Sequence, residues 1–239
     1  MKLRGVLFDA TGTLIELREP VGEIYSRALR AFGGEISAWR LGDAFRRIHR
    51  QAPPMLFPGE SSERVAELER DWWYDVVRAT LRAADSSLQL TDFGAFFETL
   101  YAAFATATCW RVRPGCIQAL RELRALGLAT GVVSNFDHRL EDILEALEIT
   151  DLLDVVVLPC GSGAAKPDPL IFTRALADLE LPAADVAFVG DDAERDLAGA
   201  RRVGMRAVNV TTLATLADLP QRLCAMQRPA PRECHEGDA

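Results

Sequence analysis

Leu3-Arg4-Gly5-Val6-Leu7-Phe8-Asp9-Ala10-Thr11-Gly12-Thr13-Leu14 runs a short apolar stretch straight into an aspartate and then into a Gly-Thr turn. An apolar run of this length, bounded by a turn signal, reads as a buried strand whose end delivers a carboxylate to the edge of a sheet. Downstream of Arg113-Pro114-Gly115 the same grammar repeats. A helix over 114–126 stops at Gly127, a strand over 128–133 leads to Ser134-Asn135, a helix runs through Leu147, and a strand over 155–158 precedes Lys166-Pro167-Asp168-Pro169. A helix over 170–179, a strand over 186–189 ending in Gly190-Asp191-Asp192, a helix closing at Gly204 and a strand over 206–210 complete the series. Helices alternating with short β-branched runs predict an α/β fold built on a doubly wound parallel sheet.

Residues 20–108 break that alternation and read as helical throughout. Pro20 suits a first helical position, and Val21, Ile24, Tyr25, Ala28, Leu29 and Phe32 recur at helical spacing before Gly33-Gly34. Three further amphipathic stretches, near 38–50, 63–84 and 92–106, are separated by Pro53-Pro54, Pro58-Gly59 and the polar segment 85–89. The chain is therefore expected to form a core from 1–17 and 111–228, an all-helical insertion over 18–110, and a disordered tail rich in proline and charge over 229–239.

Composition narrows the function. The 239 residues are 49% hydrophobic, enough for a sizeable core, and the net charge of −8 argues against a nucleic-acid surface. No stretch reaches the roughly 18 apolar residues of a membrane span, and the start lacks a secretory hydrophobic region, so a cytoplasmic protein acting on small molecules is expected. The five cysteines are odd in number and form no C-x-x-C pair, so reduced thiols are expected rather than a disulfide framework or zinc site.

Asp9, Ser134 and Asp191 each follow a predicted parallel strand directly, and Lys166 lies in the loop after another. Right-handed crossovers put all such strand ends on one edge of the sheet, where open α/β folds bind ligands. A nucleophile, a hydroxyl, a cation and an acidic cluster in one crevice are parts for phosphoryl transfer, which depends on positioning and charge neutralisation. Asp9, Asp191 and Asp192 repel one another as bare carboxylates, and a hard oxygen-seeking cation, Mg2+, relieves that repulsion.

These four stretches, in this order, resemble the four motifs of the haloacid-dehalogenase-like (HAD) superfamily over the chain to about residue 212. The resemblance implies a Rossmann-like HAD core with an inserted helical cap. It implies Asp9 as the nucleophile that forms an aspartyl intermediate, Ser134, Asn135 and Thr13 as substrate-binding residues, and Lys166 as the cation shared by nucleophile and phosphate. It also implies a Mg2+ site from Asp9, the Thr11 backbone carbonyl and Asp191, with Asp192 or Asp196 completing it. Trp72-Trp73 and Ser134-Asn135-Phe136-Asp137 are similar to the rhythmically-expressed-gene-2-like branch. The chain departs from most phosphatases of the superfamily at Thr11, which stands where they carry an aspartate as general acid and base. P-type ATPases resemble the chain in that Asp-x-Thr-Gly-Thr stretch.

Taken singly, each residue has an ordinary reading: Asp9 and Asp137 cap turns, Lys166 is a loop lysine, and Trp72, Trp73 and Tyr74 pack a helical bundle. Together they favour a magnesium-dependent phosphatase of a small phosphorylated metabolite. Two alternatives stay open. A 2-haloacid dehalogenase needs no proton donor at position 11 and is suggested by Arg40 in the helical insertion. A degenerate, non-catalytic binding protein is the other.

Overall fold

The computed structural model describes residues 2–227, and the tail expected at 229–239 lies outside them. The chain opens with β1 (Gly5–Phe8) and β2 (Ile15–Leu17), passes through α1 (Val21–Ala31), α2 (Ala38–Gln51), α3 (Ser62–Ala84) and α4 (Phe93–Phe104), and returns through β3 (Trp110–Val112). It then alternates α5 (Cys116–Ala125), β4 (Ala129–Val133), α6 (Arg139–Ala146), β5 (Val155–Val157), α7 (Pro159–Ser162), α8 (Pro169–Asp178), β6 (Val186–Gly190), α9 (Gly199–Arg202), β7 (Arg206–Asn209) and α10 (Leu219–Gln227).

The five-stranded sheet has the order β5-β4-β1-β6-β7. β1 lies at its centre, pairing parallel with β4 (Phe8 opposite Val132) and with β6 (Phe8 opposite Val189). Period-two alternation then divides the side chains. Val6 and Phe8 join Leu120, Leu123, Leu140 and Leu219 in the core on one face, while Leu7 joins Ile171, Phe172 and Phe188 on the other. Because both faces are covered by helices, the strands carry continuous apolar runs, and all four residues of β1 are buried. The predicted doubly wound parallel sheet is what the chain forms. No helix of the described residues is long and apolar enough to cross a membrane.

The sequence reading did not anticipate β2 and β3. They pair antiparallel, Leu17 opposite Trp110, so the chain leaves the sheet layer and re-enters it through adjacent strands. Glu16 and Arg111 face each other across this pair at 2.8 Å. Strands of three residues are too short for alternation to register against the neighbouring helical pattern.

In the helical layer, α1 and α2 cross where Gly22 meets Ala38 and Gly42. A Cβ on Gly22 would run into the Ala38 carbonyl and come within 2.8 Å of the Gly42 nitrogen, whereas a Cβ on Gly42 would meet nothing nearer than 3.8 Å. Gly22→Ala should therefore cost about 1–3 kcal/mol by forcing the helices apart. Gly42→Ala should be neutral or stabilising by up to about 1 kcal/mol, because it only restricts the unfolded chain. Urea unfolding of the two variants checks the contrast.

Candidate active site

Strand ends build the site. Asp9 follows β1 directly, and the turn after it is closed by Leu14 N donating to Ala10 O at 2.8 Å and Gly12 N to Ile15 O at 2.8 Å. Gly12 takes φ +84°, and a Cβ there would lie 2.5 Å from Asp191 Oδ2. Glycine thus both permits the turn and lets Asp191, at the end of β6, approach it.

Lys166 is buried at the centre, its Nζ donating to Asp9 Oδ1 at 2.6 Å and to Asp196 Oδ1 at 2.7 Å. Asp196 reaches this position from a π-helical turn, Ala193–Ala198, in which the Asp192 carbonyl accepts from Leu197 N at 3.1 Å. Asp9, Asp191 and Asp196 each bring an oxygen within 4.8 Å of the others. Burial raises the Asp9 pKa above the ordinary carboxylate range, with Lys166 opposing and Asp196 and Asp191 adding to the rise. Desolvation and Asp196 raise that of Asp191 likewise. Burial opposes the Lys166 charge, but Asp9 and Asp196 outweigh it and raise its pKa. With all three ionised, the carboxylates outnumber the one ammonium by two charges, and it is this imbalance that opposes their ionisation. Oxygen-only donors with uncompensated charge fit a hard divalent cation.

Of the residues expected here, Asp9, Thr11, Ser134, Asn135, Lys166, Asp191, Asp192 and Asp196 all line one cavity. Three of the expected residues, Asp192, Asn135 and Thr13, are placed or engaged differently from the others. Asp192 stands apart from the carboxylate trio, because its oxygens accept from Glu194 N, Arg195 N and Arg195 Nε and so cap the π-helical turn. The Asn135 side chain is occupied in a reciprocal clamp on the Lys166 backbone, Oδ1 accepting from its N at 2.7 Å and Nδ2 donating to its O at 2.9 Å. Thr13 is fully buried and off the cavity wall, and its hydroxyl has no hydrogen-bond partner among the described residues. Ser134 is buried, and its Oγ accepts from Phe136 N at 3.3 Å while keeping its own proton to donate. Thr11 is exposed to the cavity. Arg40, by contrast, donates to the Ala84 carbonyl and does not line the cavity.

Sequence reasoning missed the ties between the helices and the sheet loops. Trp73 of α3 donates its indole N–H to Asp137 Oδ2 at 2.6 Å, and Asp137 also accepts from Arg139 Nε at 2.8 Å and Nη2 at 2.6 Å. Buried Glu69 accepts from His138 N at 3.2 Å and lies 2.5 Å from its Nδ1. Burial raises the Glu69 pKa, and the bonds from His138 oppose that rise. The available signal was the crowding of Asp137-His138-Arg139 directly behind Ser134-Asn135, facing a helix that carries Trp72-Trp73.

A family model for haloacid dehalogenase-like hydrolases matches residues 3–204. Haloacid dehalogenase-like hydrolase domain-containing protein 3 of Bos taurus is 38% identical over 205 residues, covering 86% of this chain and 80% of its own. The rhythmically expressed gene 2 protein of Drosophila melanogaster is 25% identical over 214 residues, 85% of this chain and 81% of its own. Among solved structures, an L-2-haloacid dehalogenase matches with TM-score 0.69 and 25% identity over 94% of this chain and all of its own (100%). A HAD phosphatase from Thermococcus onnurineus matches with TM-score 0.61 and 25% identity over 93% and 98%. The fold is thus common to both chemistries.

Removing the central cation tests the electrostatics. Lys166→Met leaves Asp9 and Asp196 buried without their partner and should lose about 3–5 kcal/mol in urea unfolding. Adding Asp196→Asn to that variant should recover part of the loss.

Proposed function

The chain belongs to the haloacid dehalogenase-like hydrolases, and from that premise we propose that it is a magnesium-dependent phosphatase acting on a small phosphorylated metabolite through an aspartyl phosphate on Asp9. The observation that carries this reading is the clustering of the Asp9, Asp191 and Asp196 carboxylates with Lys166 as the cation paired to two of them. Halide displacement from a 2-haloacid has no use for the divalent cation that such a cluster fits. Asp9, Asp191 and Asp196, with the Thr11 main-chain carbonyl, would hold Mg2+, which when bound neutralises charge on the phosphoryl group.

Lys166 fixes Asp9 Oδ1, leaving Oδ2 to attack phosphorus. The Asp9 oxygen–phosphorus bond forms as the ester oxygen departs with its electron pair. Ser134 donates to a phosphoryl oxygen, and Lys166 offsets the charge that accumulates between nucleophile and phosphate. Water then cleaves the aspartyl phosphate, returning the carboxylate and releasing inorganic phosphate. The helices over 18–110 serve as a cap that excludes bulk water from the core formed by 1–17 and 111–228. The free thiols Cys109, Cys116, Cys160 and Cys224 are in keeping with work in the reducing cytoplasm.

Thr11 sets the limits of this chemistry, because a hydroxyl cannot transfer a proton to the leaving oxygen near neutral pH. Aryl and acyl phosphates should turn over and alkyl phosphates hardly at all, while Asp9→Asn should abolish turnover with the fold intact. Thr11→Asp should raise alkyl phosphate turnover by about 100- to 10,000-fold. Equal wild-type rates on alkyl and aryl esters, with no gain in Thr11→Asp, would place the proton donor elsewhere. Chloride release from a 2-haloacid without metal would favour the dehalogenase instead.

A further inference from the structure

The cavity above Asp9 encloses about 460 Å³ and has two unlike ends. Its polar end is the strand-end cluster. Its other end is walled by Tyr25, Phe45, Trp73, Val77, Leu100 and Phe104. The rings form a continuous aromatic lining: Tyr25 lies 5.9 Å from Phe45 and 6.2 Å from Phe104 between centroids, and His49 stacks between Phe45 at 5.3 Å and Trp73 at 5.8 Å.

Among the described residues, each arginine lining the cavity already faces an acidic partner. Arg139 spends its guanidinium on both Asp137 oxygens and on the Tyr101 carbonyl at 3.2 Å, and its charge lies over the Tyr101 ring, 3.8 Å from the centroid. Arg195 at the rim pairs with Asp192 at 3.0 Å. Desolvation against the rings, helped by Arg195, holds the His49 pKa below its ordinary value. The indole N–H groups of Trp73 and Trp110 are committed to Asp137 and to the Phe104 carbonyl. A carboxylate or second phosphate placed between the rings would be desolvated and would have to compete with Asp137 and Asp192 for their arginines. A flat apolar group would displace water from aromatic surface, the usual way such pockets gain affinity.

We infer that the substrate is the monophosphate of a flat, uncharged aromatic hydroxyl compound, its ring held between the aromatic walls and its phosphate over Asp9. This rests on the phosphatase reading and names its substrate class. It also agrees with Thr11, since an aryl oxygen leaves without receiving a proton.

The test compares phenyl, 1-naphthyl and 4-carboxyphenyl phosphates, whose leaving groups differ little in acidity, with acetyl phosphate as the substrate that has no ring. With Mg2+, kcat/KM for 1-naphthyl phosphate should exceed that for phenyl phosphate by about tenfold or more, and 4-carboxyphenyl phosphate should fall about tenfold or more below it. Calorimetric titration of the Asp9→Asn protein with the same three esters should give the same order of affinity without turnover. Equal values, or a preference for the carboxyphenyl ester, while acetyl phosphate is hydrolysed, would overturn the inference and leave the phosphatase reading standing. If neither acetyl phosphate nor any ester is hydrolysed, the phosphatase reading falls, and the calorimetric order alone then upholds or overturns the cavity's aromatic preference.

Discussion

The buried ammonium of Lys166, held between Asp9 and Asp196, is the interaction on which the rest of this site depends. Distant parts of the sequence meet there: the end of β1, the loop between α7 and α8 and the π-helical turn after β6. One ammonium cannot balance the carboxylates around it, so the arrangement is stable in proportion to how well each is held. The Asn135 clamp fixes the Lys166 backbone, and the Asp192 cap fixes the turn that carries Asp196. The Asn135 and Asp192 side chains thus hold the backbone that carries Lys166 and Asp196.

The same principle extends to the helical layer. Trp73 and Glu69 of α3 reach across to Asp137 and His138, and Arg139 reaches back to the Tyr101 carbonyl at the end of α4. The loop after β4 therefore serves two surfaces at once. Ser134 faces the strand-end cluster, and three residues further on Asp137 anchors the aromatic wall. The strand-end cluster and the aromatic wall are joined by a few residues of backbone.

Much of this was legible in the sequence, for identifiable reasons. Parallel strands buried on both faces leave unbroken apolar runs, so Val6-Leu7-Phe8 and Val186-Ala187-Phe188-Val189 stood out, and their C-terminal aspartates followed from topology. The four long helices carried their own period. What stayed hidden was set by hydrogen bonds between distant segments. The side chains of Asp192 and Asn135 are types that suit either a ligand or a cap, and only the folded backbone decides. Thr13 and Thr11 are two residues apart, yet the turn buries one and opens the other to the cavity. Glu69 reads as one more charge on an amphipathic helix until His138 is brought against it.

If Asp9 is the nucleophile it becomes phosphorylated in turnover, and peptide mass spectrometry after acid quenching of protein incubated with acetyl phosphate and magnesium detects the adduct. One added phosphoryl group is expected on the peptide that contains Asp9, lost on treatment with hydroxylamine and more abundant at steady state in wild type than in Thr11→Asp. An adduct on a different residue, or none on a protein that releases phosphate, would contradict the assignment of Asp9 as nucleophile.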